Sequence, residues 1–297
     1  RRKEGKVMFT TFAVYTSILR HLRYVHFHGN KLYKLIASIS LQKRPDLIKL
    51  DELREWCLTF GAMQHTANSV WLSIQSVLMH HFPTSKEMEA NMSMDMLIDF
   101  VWSMSAVDLI PNYWLLADLI KRVNESSNYA ELQALSFIHK ARLWEIFQAV
   151  YANRTCHESL NLVNMEIMDE LHAFYDESIV THFNQHCKLR PSLVKFCKVL
   201  ADEQIQYEIG CAVGNMLALC DIVIPQYKIC VEVFDFPHIA RRWQNKPREW
   251  IKLKARREIT RRLIENTHKD WHFVIVDGVD PQYDLDRFAG LIKKFVA

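Results

Sequence analysis

From Met8 to about Leu200 the apolar residues of this chain recur at helical spacing, and after roughly Asp202 they do not. That change of period is the strongest constraint on the fold. Segments such as LDELREWCLTFGAM, ANSVWLSIQSVLMHHF, NYWLLADLIKRV and AELQALSFIHKARLWEIFQAV are mostly one helix long, separated by short polar or proline-bearing joints. Only 7 glycines and 8 prolines occur in 297 residues, too few to punctuate a turn-rich all-β fold. Beyond Asp202, QYEIG, NMLALCDIVIP, KICVEVF and WHFVIVDG are short Val- and Ile-rich runs bounded by Gly, Pro, Asp or Asn, as strands are. The predicted architecture is a mainly α body over residues 1–201 followed by a small C-terminal α/β domain over 202–297.

Several helices of the body share a loose pattern of Leu followed by bulky apolar residues: Leu53/Trp56/Leu58, Leu97/Phe100/Trp102, Leu132/Leu135/Phe137 and Leu171/Phe174. The leucines are 44, 35 and 39 residues apart, near the period of stacked helical hairpins. A degenerate solenoid and an irregular helical bundle both satisfy this, because both bury a similar stripe. The methionine-rich NMSMDM is expected to begin a helix that packs into the core.

Seven cysteines, an odd number with no CxxC pair, indicate reduced thiols in an intracellular compartment. No uninterrupted apolar run reaches the roughly 18 residues of a spanning helix, so a soluble protein with no membrane partner is expected. The chain opens on RRKEGK rather than methionine, so a preceding stretch with any targeting peptide is expected.

Net charge is only +3, but ten basic and two acidic residues fall between Arg241 and Arg262, a local balance of +8. A basic segment on a mildly acidic remainder points to a localised polyanion contact. Within it Ile251, Ala255, Ile259 and Leu263 recur every four residues, a helical stripe that places Lys252, Lys254, Arg256, Arg257, Arg261 and Arg262 on the flanks and far side. Trp243 and Trp250 are interleaved with these cations, as suits stacking on bases beside neutralised phosphates, although Trp250 equally fits a core anchor. No helix-turn-helix, zinc-finger or RNP signature accompanies them, which favours irregular or single-stranded RNA over duplex DNA.

Asp221 ends one predicted strand and Glu232 lies eleven residues on in the next, with Phe234 two beyond it and Asp235 following. In nucleases of the restriction-endonuclease fold, an Asp, a hairpin and then Glu-x-Lys hold Mg²⁺ and stabilise charge near the attacked phosphate. Phe234 stands at the lysine position and can supply neither charge nor a hydrogen bond. Asp221, Glu232 and Asp235 are therefore degenerate candidates, and no catalytic residue and no bound metal are expected.

DIVIP, KICVEVFDFPH, the basic KLKARREITRRLIE and DWHFVIVDG together resemble a RAP domain, an RNA-binding domain abundant in apicomplexans and regarded as a relative of the restriction-endonuclease fold. The likeness covers about residues 229–288. His238 follows Glu232 by six residues, as in the family pattern, and Trp271 takes the place of the family tryptophan. Phe234, Asp235 and Asp270 depart from it, replacing Asp, Gly and Gly respectively. RAP proteins pair this domain with N-terminal helical repeats and act on RNA in mitochondria or chloroplasts. The resemblance implies a non-catalytic, mitochondrial or alternatively plastid protein without cofactor. It would bind organellar ribosomal RNA as a component or assembly factor of the ribosome, beside other ribonucleoprotein subunits.

The contacts this predicts are Arg241, Arg242, Lys246, Arg248, Lys252, Lys254, Arg256, Arg257, Arg261, Arg262, His238 and Trp243. Two other readings stand beside it: a Mg²⁺-dependent RNA endonuclease using Asp221 and Glu232 with Asp235 recruited, and a scaffold subunit whose basic helix meets acidic protein. His182, His186 and Cys187 cluster on one helix, but without HExxH or a further ligand pair they read as half-exposed helix residues. Cys156 and His157 are adjacent on the chain and point about 100° apart on a helix, which does not make a nucleophile and its base.

Overall fold

The computed structural model describes residues 13–23, 30–40, 48–84, 87, 91–109, 113–125, 130–153, 155–234, 254–277 and 281–296. It is mostly helical, with a small mixed sheet of four strands near the C-terminus. The bounded helices are α1 (Asn30–Ser40), α2 (Leu50–Ala62), α3 (Asn68–His81), α4 (Met94–Ala106), α5 (Tyr113–Glu125), α6 (Ala130–Ala134), α7 (Phe137–Ala152), α8 (Met165–Phe174), α9 (Thr181–Lys188) and α10 (Pro191–Asp202). Strands β1 (Glu208–Val213), β2 (Ala218–Ile224) and β3 (Ile229–Phe234) follow, then α11 (Lys254–Thr267), β4 (His272–Asp277) and α12 (Pro281–Val296). Among the described residues no helix is long and apolar enough to cross a membrane.

The chain divides into two compact units, Arg1–Ile146 with Leu253–Ala255, and Phe147–Lys252 with Arg256–Ala297. The division expected at 201/202 does not coincide with this one. Helices after Phe147 pack with the sheet: Asn184 of α9 donates to the Ile209 carbonyl at 2.8 Å, and Gln148 to the Met216 carbonyl at 2.7 Å. Loose leucine patterns on helices could not reveal this, because a helix stripe does not say whether it buries against helix or sheet.

In the first unit, the Leu-x-x-bulky pattern marks core positions: Leu53, Trp56, Leu97, Phe100 and Trp102 are all buried. The methionine-rich stretch starts α4 as expected, with Ser93 capping it by accepting from the Met96 amide and Met92 buried just before it. α2 and α4 approach closely at Gly61, where an added Cβ would lie 2.7 Å from the Ser103 Cα. Charge is also buried here. Arg54 Nε reaches Asp99 Oδ2 at 2.6 Å, Arg142 donates to Oδ1, and Arg142 also lies over the Trp102 ring, 4.9 Å from its centroid.

His139 adjoins this group, with Ser136 Oγ 2.8 Å from Nδ1 and an Arg54 nitrogen 3.2 Å from Nε2. Its Nε2 also lies 3.5 Å from Asp99 Oδ1, and its Nδ1 3.4 Å from Asp95 Oδ1.

Burial opposes ionisation of Asp99, but Arg142, the hydrogen bond to His139 and Arg54 outweigh it and bring the carboxyl down to about 2. A depressed carboxyl contributes stability above its ordinary range and loses it as pH falls through the folded value. The first unit is therefore expected to lose about 2 kcal/mol between pH ~4 and ~2. In acid titration followed by urea unfolding, Asp99→Asn should be less stable at neutral pH and lack this acid limb; an identical limb would contradict the assignment.

The second unit contains a long helix running from Met165 to Lys188. Ile167, Leu171, Tyr175, Ile179, Phe183 and Cys187 are buried at strict steps of four. A step of four overshoots a full α-helical turn by roughly 40°, so this stripe would precess around a regular helix. Between α8 and α9 the segment Tyr175–Val180 is a π-helix, whose wider turn takes up part of the precession and keeps the stripe aligned. The sheet order is β1-β2-β3-β4, antiparallel across the first two pairs and parallel between β3 and β4. The parallel step requires a crossover, and α11 lies in it. β2 is buried along its length, and Ile229 to Val233 of β3 are buried too, which explains their nearly continuous apolar sequence.

Candidate functional site

Two residues interrupt that apolar continuity, Asp221 in β2 and Glu232 in β3. Ile222 pairs with Val231 and Val223 with Cys230, and the same antiparallel register sets Asp221 opposite Glu232. Cross-strand partners project from the same face, so the eleven-residue spacing does bring the two carboxylates together. Both are buried, with Glu232 only 1% exposed.

Three arginines surround them. Arg190, in the turn between α9 and α10, donates from Nη1 to Asp221 Oδ1 at 2.5 Å and from Nη2 to the Val233 carbonyl at 2.7 Å. Asp221 Oδ2 accepts from the Val233 amide at 2.8 Å, and the Cys187 thiol lies 3.4 Å from Oδ1. From α11, Arg257 Nε stands 2.7 Å and Arg256 Nη2 3.6 Å from Glu232 Oε1. Arg256 also lies over the Phe183 ring at 4.9 Å.

The electrostatics follow from burial first. Loss of water pushes the Glu232 carboxyl up, Asp221 beside it pushes the same way, and Arg257, Arg256 and Arg190 pull it back. Burial likewise raises the Cys187 thiol, with Asp221 adding to it, so this cysteine is an inert neutral group. Glu232 Oε2 is buried without a hydrogen-bond partner among the described residues.

A divalent cation such as Mg²⁺ demands hard oxygen ligands and retains several waters. Asp221 and Glu232 offer oxygens, but three guanidinium groups crowd them in a space shut off from solvent. These residues do not fit a metal. No group of three or more potential ligands occurs among the described residues. The arrangement instead pairs two buried acids with fixed cations and ties β2 and β3 to the elements on either side.

The basic helix is thus partly redirected. Arg256 is 2% exposed and Arg262 7%, so these two are not on the solvent-facing side where the sequence placed them. Ala255, Ile259 and Leu263 are buried as expected, but Thr260 and Ile264 are as well, so more than one stripe of α11 is covered. Arg257 belongs to the Glu232 pair, and Arg261 pairs with Glu258 and Glu265 along the helix. Asp235, His238, Arg241, Arg242, Trp243, Lys246, Arg248 and Lys252 lie outside the described residues, as does the side chain of Lys254.

His182 is exposed and its Nδ1 donates to the Ser178 carbonyl one turn before it; Cys187 is fully buried rather than half-exposed. Sequence reasoning missed Arg190 entirely. A lone arginine before Pro191 carries no motif, and the 31 residues that separate it from Asp221 hide their contact. Compared with known protein families, with curated proteins and with solved structures, the chain finds no match.

Proposed function

We propose that this chain is a non-catalytic RNA-binding protein of RAP-domain type. It would work in an organelle, the mitochondrion in the first instance, as a component or assembly factor of the ribosome. The segment 241–254 would supply its phosphate contacts. The observation that carries this reading is the division among the ten clustered cations. Arg256, Arg257, Arg261 and Arg262 are buried or engaged with carboxylates. The six before them, Arg241, Arg242, Lys246, Arg248, Lys252 and Lys254, share their stretch with one acid, Glu249, a balance of +5. Polyanion contact belongs there and not on the helix beyond its first residue. Three guanidinium groups around Asp221 and Glu232 argue in the same direction, because a nuclease would need that pair for a metal.

The test is anisotropy of a labelled single-stranded RNA with the full chain across a salt series. Replacing Arg241, Arg242, Lys246 and Arg248 with alanine should weaken binding and flatten the salt slope by about 0.7 per lost contact, roughly 3 in all. Arg261→Ala should change affinity less than about twofold, since its charge is already balanced. Equal affinity and slope in the quadruple variant would refute the proposal. Cleavage of the same RNA in Mg²⁺ that Asp221→Asn abolishes would return the site to the nuclease reading.

A further inference from the structure

Helices α1 and α3 border an open groove of about 390 Å³ whose lining includes Lys31, Lys34, Leu35, Ser69, Val70 and Ser73. The lining residues are neighbours on each helix. Lys31, Lys34 and Leu35 stand at i, i+3 and i+4 on α1, and Ser69 and Ser73 at i and i+4 on α3, where Leu72 lies beside them without being part of the lining. Leu35 in the lining is 55% exposed, and Leu72, next to the lining residues on α3, is 64% exposed. Both lysines are exposed, and among the described residues no acidic one lines the groove. α3 also starts at Ala67 without a side-chain cap and without an acid in its first turn, which leaves the positive end of its dipole unopposed from within the helix.

We infer that this groove docks an amphipathic helix from a protein partner, with aliphatic residues at i and i+3 or i+4 flanked by aspartate or glutamate. The volume suits a few side chains laid between two helices, the usual geometry of a helix in a groove. Lysine stems extend the apolar wall while their ammonium groups meet the partner's carboxylates at the rim. RNA fits less well, because among the described residues the lining has no aromatic platform for bases and two cations for phosphates. The inference does not depend on the RNA-binding reading.

The probe is a labelled synthetic helix-forming peptide with leucines at i, i+3 and i+4 flanked by glutamates, titrated with the full chain. The same peptide with lysines for glutamates, and a single-stranded RNA, serve as comparisons. The glutamate peptide should bind in preference to the lysine peptide, and Lys31→Glu with Lys34→Glu should weaken it about tenfold or more and reverse the preference. Leu72→Asp, at an exposed position, should weaken it as well, with an unchanged circular dichroism spectrum and melting temperature. Equal binding of the two peptides, or of the glutamate peptide to wild type and both variants, overturns the inference. Loss of RNA binding alone in the charge-reversed variant also overturns it and assigns the groove to RNA.

Discussion

Asp221→Ala is expected to destabilise the sheet-bearing unit by about 3–5 kcal/mol, the cost of leaving a buried charge without its partner. Three donors lose their acceptor at once: the Arg190 guanidinium, the Val233 amide and the Cys187 thiol. Arg190 cannot swing into water, because its other nitrogen is held by the Val233 carbonyl and the side chain is only 8% exposed. An apolar replacement of both partners should recover much of the loss, so Asp221→Leu with Arg190→Met should be more stable than Asp221→Ala alone. Equilibrium urea unfolding gives the free energies, and hydrogen exchange at β2 and β3 amides locates the change. An Asp221→Ala variant within about 1 kcal/mol of wild type would mean that the buried network contributes little.

Glu232 depends on pH in the opposite sense to Asp99. Because burial raises its carboxyl, its contribution is complete below the ordinary glutamate range and is lost as pH rises through the folded value. A neutral glutamine at 232 should therefore be tolerated better than any uncharged substitution at Asp221.

The same pair shows what a sequence of this kind reveals and what it conceals. Adjacent antiparallel strands joined by a short turn have almost one possible register, so the facing of Asp221 and Glu232 was legible from their spacing and the alternation around them. The change of period near Asp202 likewise told helix from strand. What neutralises the acids was not legible. Arg190 comes from a helix turn far upstream, and Arg256 sits one residue from Ala255, about 100° round the helix, where a single apolar stripe predicts solvent. The sequence does hold a local signal for Arg261, since Glu258 and Glu265 lie three residues before it and four after it. Reading the cations as one uniform patch passed over those carboxylates. The division between units was hidden for a related reason: buried helices look alike whether they lie on helices or on a sheet.

Gly210→Ala and Gly290→Ala are expected to move stability in opposite directions, although both replace glycine with the smallest side chain that has a Cβ. Gly210 lies in β1 with φ +61°, a conformation that costs an L-residue roughly 1–2 kcal/mol. A Cβ there would also stand 2.7 Å from the Asn184 Cα and 2.8 Å from the Cys187 Cβ. Both obstacles belong to α9, which Asn184 already bonds to β1 through the Ile209 carbonyl, so helix and strand would have to separate. Adding roughly 1–3 kcal/mol for overpacking gives a total loss of about 2–5 kcal/mol. Separation at that point also pulls Cys187 and the following Arg190 away from Asp221, so Gly210→Ala and Asp221→Ala together should cost less than the sum of the two. Gly290 lies inside α12 with nothing within 4 Å of an added Cβ, and alanine there should gain about 0.5–1 kcal/mol through helix propensity alone. Thermal unfolding of the two single variants and of the Gly210/Asp221 double variant measures all three effects. A Gly210→Ala protein as stable as wild type would show that α9 does not press on β1, and with it would fall the account of how Arg190 is held against the buried acids.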